Sequence, residues 1–249
     1  MEYETFAHVY DEIMDDSLYE KWLEFTKSHV QNGQKKLLEL ACGTGILALK
    51  LAEQGYDVTA LDISPDMLAV ASERMAEQYP DESLVQFIQG DMMALSEVGE
   101  NYEIVTCYSD SLCYMNDAFE VQQVFDEVYR VLDFGGTFIF DVHSDYKIDT
   151  LFKNFEFQYE TEDYAFLWHS EPDHAPLSVV HELSFYIRNQ DNLFERYLED
   201  HHERTYHLEH YLTMLESAGF DRVEVYADFT NEEPTKTSER WFFVATKGA

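Results

Sequence analysis

Cysteine is scarce in this 249-residue chain, which has only Cys42, Cys107 and Cys113. No two of them form a Cys-x-x-Cys pair, and an odd number leaves no closed disulfide framework, so the sequence suits a reducing compartment. Basic residues number 16 against 50 acidic ones, a formal net charge of −34. Such a surplus repels a polyphosphate backbone from almost every approach, which makes nucleic acid a poor partner, and it disfavours anionic membrane surfaces for the same reason. Lysine and arginine form no cluster longer than Lys35-Lys36. Long apolar runs are missing near the start, where Glu2, Glu4, Asp11 and Glu12 interrupt the chain. No signal or membrane segment is expected there, and the chain reads as soluble and cytoplasmic. Internal repeats and low-complexity tracts are absent. What is present is a 45% hydrophobic content, enough for a full core, over a length that predicts a core domain carrying an insertion.

One stretch stands out: Leu37-Leu38-Glu39-Leu40-Ala41-Cys42-Gly43-Thr44-Gly45. An apolar run breaks into a glycine-containing turn, and an amphipathic segment (Ile46, Leu47, Leu49, Leu51, Ala52) follows. Backbone is thereby brought close to a ligand at a helix start. One helix, one turn and one short strand later the chain reaches Asp62, whose carboxylate falls where a ribose would lie and can accept from both hydroxyls. Two ligand classes use this geometry. A dinucleotide site wants Gly-x-Gly-x-x-Gly, and Ala48 is permitted at the third position, so the loop alone leaves NAD open. Glu39, just before the loop, would oppose a pyrophosphate yet suit a cation. Phe87-Ile88-Gln89-Gly90-Asp91-Met92 reads as a third strand ending in a second carboxylate, placed to accept from an adenine amino group. A ligand with an ammonium, a diol and an exocyclic amine fits this set.

With these residues the chain resembles the class I S-adenosylmethionine-dependent methyltransferases, most of all a Bacillus-type bacterial group with the loop Cys-Gly-Thr-Gly. The likeness extends to Val9-Tyr10-Asp11, Asp62-Ile63-Ser64, Gly90-Asp91-Met92, Leu132-Asp133-Phe134-Gly135-Gly136, Asp141-Val142-His143-Ser144 and Ser238-Glu239-Arg240-x-Phe242-Phe243. It implies an α/β fold, a doubly wound, mostly parallel seven-stranded Rossmann-like sheet closed by a hairpin whose last strand is antiparallel. It also implies S-adenosylmethionine as cofactor, held by Tyr10, Glu39, Ala41, Cys42, Gly43, Gly45, Asp62, Ile63, Asp91, Met92 and Tyr108. Ala41 stands where many members carry glycine, and a slightly tighter loop is expected there.

Strand and helix signals alternate along the first part of the chain. Two helices, one carrying Phe6, Tyr10, Ile13 and Met14 and one carrying Trp22, Leu23, Phe25 and Thr26, precede a strand at Lys36–Leu40. Then come a helix from Thr44, a strand at Val58–Asp62, a helix opened by the Ser64 cap and Pro65, strands at Val85–Gln89 and Ile104–Tyr108, a helix at Phe119–Leu132 and a strand at Thr137–Val142. Such alternation means a parallel, doubly wound sheet. From Phe155 to Arg204 the pattern turns to aromatic-rich runs separated by Glu171-Pro172-Asp173 and Asn189-Gln190-Asp191-Asn192, which reads as antiparallel sheet. The expected organisation is a core of residues 1–150 and 205–249 with a substrate cap at 151–204.

Methyl transfer from a sulfonium needs placement of the nucleophile and exclusion of water more than acid–base chemistry. Candidate pocket residues hang from the carboxyl ends of the fourth and fifth strands, where Asp110 could hold an amine or cap the following turn and His143 could be a base or a partly buried structural histidine. Arg204 could clamp a substrate carboxylate or pair with a surface glutamate. Trp168, with other aromatic residues of the insertion, either lines the pocket or packs a small core. His201 and His202 point to opposite faces of an extended strand and so do not suit one metal, and no metal site is expected. The acceptor is expected to be a small molecule with a nitrogen or oxygen nucleophile. A non-catalytic S-adenosylmethionine-binding protein is the competing class, and association into a homo-oligomer stays open.

Overall fold

The computed structural model describes residues 16–189 and 191–248. Seven strands form one sheet: β1 (Lys36–Leu40), β2 (Asp57–Asp62), β3 (Val85–Gln89), β4 (Tyr102–Cys107), β5 (Leu132–His143), β10 (Arg222–Ala227) and β11 (Arg240–Thr246). Their order is β10-β11-β5-β4-β1-β2-β3. Neighbours from β5 to β3 run parallel, whereas β11 is antiparallel to both β5 and β10. The connections leave β1 toward opposite edges, so the carboxyl ends of β1 and β4 border a crevice at the topological switch point.

Helices cover both faces. On one side α1 (Asp16–His29) and α2 (Ile46–Glu53) pack Trp22, Leu23, Leu47 and Leu49 against Leu37, Val58, Ile139 and Phe242. On the other side α4 (Ala118–Val131) and α5 (Leu208–Ala218) pack Val124, Phe125 and Leu215 against Leu38, Leu40, Val105, Phe140 and Phe243. Adjacent residues such as Leu37 and Leu38, or Phe242 and Phe243, thus enter different cores. A strand buried on both faces reads as a continuous apolar run rather than an alternating one. The helix α3 (Pro65–Gln78) begins where the sequence places it, with Ser64 Oγ accepting from Met67 N at 3.2 Å and Pro65 in the first turn. None of the described helices is long and apolar enough to cross a membrane.

The fifth strand is longer than Thr137–Val142, because Leu132 pairs with Tyr102 across a register shift and Gly135 N donates to Lys247 O at 2.8 Å. The helix predicted around Tyr10 lies outside the described residues, and so does Tyr10.

A separate four-stranded antiparallel sheet follows β5, built from β6 (Phe155–Glu160), β7 (Tyr164–Pro172), β8 (Ser178–Arg188) and β9 (Phe194–Arg204) in that order. Tyr164, Phe166 and Phe185 form its buried cluster, with Trp168 packed alongside. The chain enters it through a π-helical turn at Lys147–Leu151. It leaves beside its entry, since Thr205 Oγ1 donates to the carbonyl of His143 at 2.6 Å. The end of β9 is therefore pinned to the carboxyl end of β5, at the rim of the crevice.

Candidate active site

The loop after β1 is shaped by left-handed backbone, with φ of 53° at Ala41, 53° at Gly43 and 74° at Gly45. Cys42 N donates to Leu61 O and Gly45 N to Cys42 O, each at 3.0 Å, which fixes the loop over β2. A Cβ on Gly45 would lie 2.8 Å from Ala71 Cβ, so glycine is required there by close approach. A Cβ on Gly43 would meet nothing within 4 Å among the described residues, so this face of the loop leaves room for a close approach. Ala41 does more than tighten the loop, as it adopts a conformation that costs a side-chain-bearing residue about 1 kcal/mol.

Two carboxyl groups converge beneath this loop. Asp62 Oδ2 accepts from Gly43 N at 2.7 Å and its Oδ1 from Ser64 N at 2.8 Å. Burial raises its pKa, and those N–H donors work in the opposite direction. Glu39 is 4% exposed and its Oε2 has no hydrogen-bond partner among the described residues. Burial, helped by the charge of Asp62, pushes its carboxyl up to about 8. The negative charge expected at Glu39 is thus withheld at neutral pH until a cation draws it out. Ile63, next to Asp62, is 68% exposed and offers a flat ring an apolar platform. Asp91 Oδ1 accepts from Met93 N at 2.8 Å, shaping the turn after β3, and Met92 packs half-buried beside it.

A second constellation sits at the carboxyl ends of β4 and β5. Ser109 and Asp110 have φ of 55° and 51°, two consecutive side-chain-bearing residues in the left-handed region. Such strain persists only where surrounding contacts impose it. Asp110 N donates to Asp141 Oδ1 at 3.2 Å, while Asp141 Oδ2 accepts from Trp22 Nε1 at 3.1 Å and Arg240 Nη1 at 2.6 Å. Arg240 also pairs with Asp110. Asp110 Oδ2 lies 3.1 Å from His143 Nε2, and Glu203 Oε2 lies 3.2 Å from the same nitrogen. Burial alone would raise the pKa of Asp110, yet Arg240 and His143 hold it well below the usual carboxylate range. Glu203 is held down to about 2 against its burial by His143 and His181. The pKa of His143 is raised, because Asp110 and Glu203 outweigh the burial that opposes them.

The network continues into the antiparallel sheet, where His181 Nε2 lies 3.6 Å from Glu203 Oε2. Trp168 Nε1 donates to His181 Nδ1 at 3.0 Å, with Ser170 Oγ at 2.6 Å from the same atom. An indole can only donate, so His181 carries its proton on Nε2, facing Glu203. Asp110, His143 and Glu203 offer atoms within 4.8 Å of one another, close enough to share a cation. Arg240 and the His143 proton already serve that role.

A family model described as a methyltransferase domain matches residues 37–136, the stretch that holds the loop, Asp62, Asp91 and Asp110. A methyltransferase of Geobacillus sp. (strain WCH70) is 40% identical over 251 residues, covering 99% of this chain and 100% of the relative. The methyltransferase YqeM of Bacillus subtilis (strain 168) is 37% identical over 247 residues, 99% of this chain and 98% of its own. The chain belongs to the S-adenosylmethionine-dependent methyltransferase family. A solved S-adenosylmethionine-dependent methyltransferase from Clostridium acetobutylicum ATCC 824 has the same fold, with a TM-score of 0.85, 28% identity and 99% coverage of each chain.

The methyltransferase has the groups its cofactor calls for. The orphaned Oε2 of Glu39 suits an ammonium, Gly43 leaves room for close approach, and Asp62 with Ile63 suits a ribose and a flat base. Other expected residues stand differently. The Cys42 thiol is buried, and burial with the nearby Glu39 raises its pKa, which leaves it inert. The side chain of Tyr108 does not reach the crevice: its hydroxyl bonds Thr26 Oγ1 at 2.7 Å and its ring stacks on Trp22 inside the core. Arg204 is not joined to the Asp110 cluster. Alternation along β9 turns it to the opposite face from Glu203, and its guanidinium lies 4.9 Å over the Tyr206 ring. Trp168 reaches the cluster indirectly, through its bond to His181 and through Phe152, whose ring packs against His143. Glu203 and His181 carry no site role in the sequence analysis, and Asp141 and Arg240 enter it only as members of resemblance motifs, with no role of their own. Their one local signal is a charged or polar residue set within or beside an apolar strand, as Arg240 is before Trp241-Phe242-Phe243.

Proposed function

We propose that this methyltransferase acts on a small molecule through a nitrogen or oxygen nucleophile, with nitrogen preferred. The observation that carries this reading is Asp110, a carboxylate kept ionised by Arg240 just beyond the carboxyl end of β4, where the proposed cofactor site would present the methyl group. Although paired with Arg240 and His143, its oxygens keep lone pairs that can accept a hydrogen bond from an amine, which a deprotonated carboxylic acid cannot offer. S-adenosylmethionine, when bound, supplies an electrophile that is already activated. Glu39 would take the ammonium of the cofactor, Asp62 its ribose hydroxyls and Asp91 its base, while Gly43 allows the close approach. Asp110 would hold the acceptor, and His143, clamped behind it, would act as a positioning residue. Residues 151–204 would form the cap that excludes water, because β9 is pinned beside β5 at the rim.

The test is formation of S-adenosylhomocysteine over a panel of small amines, phenols and carboxylic acids. Turnover with amines is expected. Turnover confined to carboxylic acids would overturn the preference, and tight S-adenosylmethionine binding with no turnover of any acceptor would favour the non-catalytic class.

A further inference from the structure

His201, set aside above as a metal ligand, is placed for a different task. Its Nε2 lies 2.8 Å from Glu199 Oε2 and its Nδ1 lies 3.0 Å from the Tyr114 hydroxyl. The glutamate claims the Nε2–H, so Nδ1 presents a lone pair and the phenol is the donor toward it. Tyr114 ends the short turn Ser111–Tyr114, which springs directly from Asp110 and is closed by Cys113 N donating to Asp110 O at 2.7 Å. The phenol is thus carried one turn beyond the strained Asp110, on the side of the β4 end where the proposed acceptor would be held, and its residue remains 44% exposed. By contrast, His143 is buried with its Nε2 hemmed between two carboxylates.

We propose that Tyr114 is the general base of this methyltransferase, with His201 and Glu199 as its positioning residues. The inference rests on the reading of the chain as a methyltransferase of small N or O nucleophiles. As the acceptor atom bonds the methyl carbon, the carbon–sulfur bond breaks and its electron pair stays on sulfur. The acceptor's proton passes to Tyr114 Oη while the phenol's own proton passes to His201 Nδ1. Glu199 holds the resulting imidazolium until its proton returns to solvent through the exposed phenol. The arrangement is the base-plus-orienting-carboxylate pair of nucleophilic enzymes, applied to a phenol.

The test compares wild type, Tyr114→Phe, Glu199→Gln and, as a control, His202→Gln, whose residue faces the other side of β9. Acceptors are the amines and phenols of the panel above, and S-adenosylhomocysteine is the readout. Tyr114→Phe keeps the ring and should lower kcat by about 100-fold or more, with acceptor KM and S-adenosylmethionine affinity within about twofold. Glu199→Gln should give a smaller loss of kcat, and His202→Gln none. A Tyr114→Phe enzyme with kcat within about threefold of wild type would overturn the relay and leave the methyltransferase reading intact. Wild type inactive on every amine and phenol would remove that reading and the relay together. Nitrogen-15 NMR supplies a measurement independent of any acceptor: the relay requires the Nε2–H tautomer at His201, and an Nδ1–H tautomer would reverse the direction of the Tyr114 bond and sink it.

Discussion

At Glu39 and Asp62 two carboxyl groups share one buried corner, and their proton inventory bears on stability and, through the proposed cofactor site, on S-adenosylmethionine binding. Glu39 has its pKa raised to about 8 by burial and by Asp62, against about 4.3 in an unfolded chain. The folded protein therefore holds a proton there that the unfolded chain has released. The stability linked to it is complete below about pH 4 and is lost as pH rises through 8. Glu39→Gln, which keeps the shape without the titration, should narrow the difference in Tm between pH 6 and pH 8.5. An unchanged difference would move the titration elsewhere. In the wild type, S-adenosylmethionine binding near pH 7 should release a proton from Glu39, seen in calorimetry as an enthalpy that depends on the buffer's ionisation heat. Asp62, which accepts from Gly43 N and Ser64 N, has the separate proposed role of binding the ribose. Asp62→Ala should weaken S-adenosylmethionine binding by roughly 1.5–3 kcal/mol, and unchanged affinity would refute the ribose assignment.

At the level of elements, what the sequence revealed depended on whether the cause was local. The strands Lys36–Leu40 and Val85–Gln89 and the helix start at Pro65 matched residue for residue, since apolar runs and caps act within a few positions. The five-residue extension of β5 back to Leu132 could not be read, because its partners Tyr102 and Lys247 belong to other strands and the carboxyl terminus. The same holds for the candidate site: Asp110 and His143 could be put at neighbouring strand ends from local signals, and they lie in contact, but Arg240 meets Asp141 across 99 residues. That guanidinium ties β11 to β5, to the turn after β4 and, through Asp141 and Trp22, to α1. Arg240→Met should destabilise the fold by about 3–5 kcal/mol in urea titration, because it leaves two buried carboxylates without their counter-ion. A loss below about 1 kcal/mol would mean that Asp141 and Asp110 find another cation. The loop after β1 gives the converse case. Ala41→Gly should stabilise by about 0.5 kcal/mol, the relief of left-handed strain less the added freedom of the unfolded chain.

Over the whole molecule, a charge of −34 sets 50 acidic groups against 16 basic ones. Some of those few cations are already committed to the protein itself: Arg240 is spent on Asp110 and Asp141, Arg130 pairs with Glu100 and Glu127, and Lys247 Nζ donates to the carbonyls of Tyr129 and Leu132 at 2.7 Å each. Little basic surface remains to meet phosphate, so the excess acts as self-repulsion within the fold and as a barrier to polyanions. Both effects reach farthest at low ionic strength, where the Debye length approaches about 30 Å at 0.01 M salt. Fluorescence anisotropy with labelled duplex DNA and transfer RNA under those conditions should detect no micromolar binding, whereas electrostatic attachment, if it existed, would be strongest there. The same self-repulsion predicts that Tm rises as sodium chloride is added toward about 0.5 M, because screening weakens repulsion among many surface carboxylates more than it weakens the buried Arg240 pairs. A Tm that fell with salt would show that attractive ion pairs, and not the excess of carboxylates, dominate the electrostatic energy of the fold.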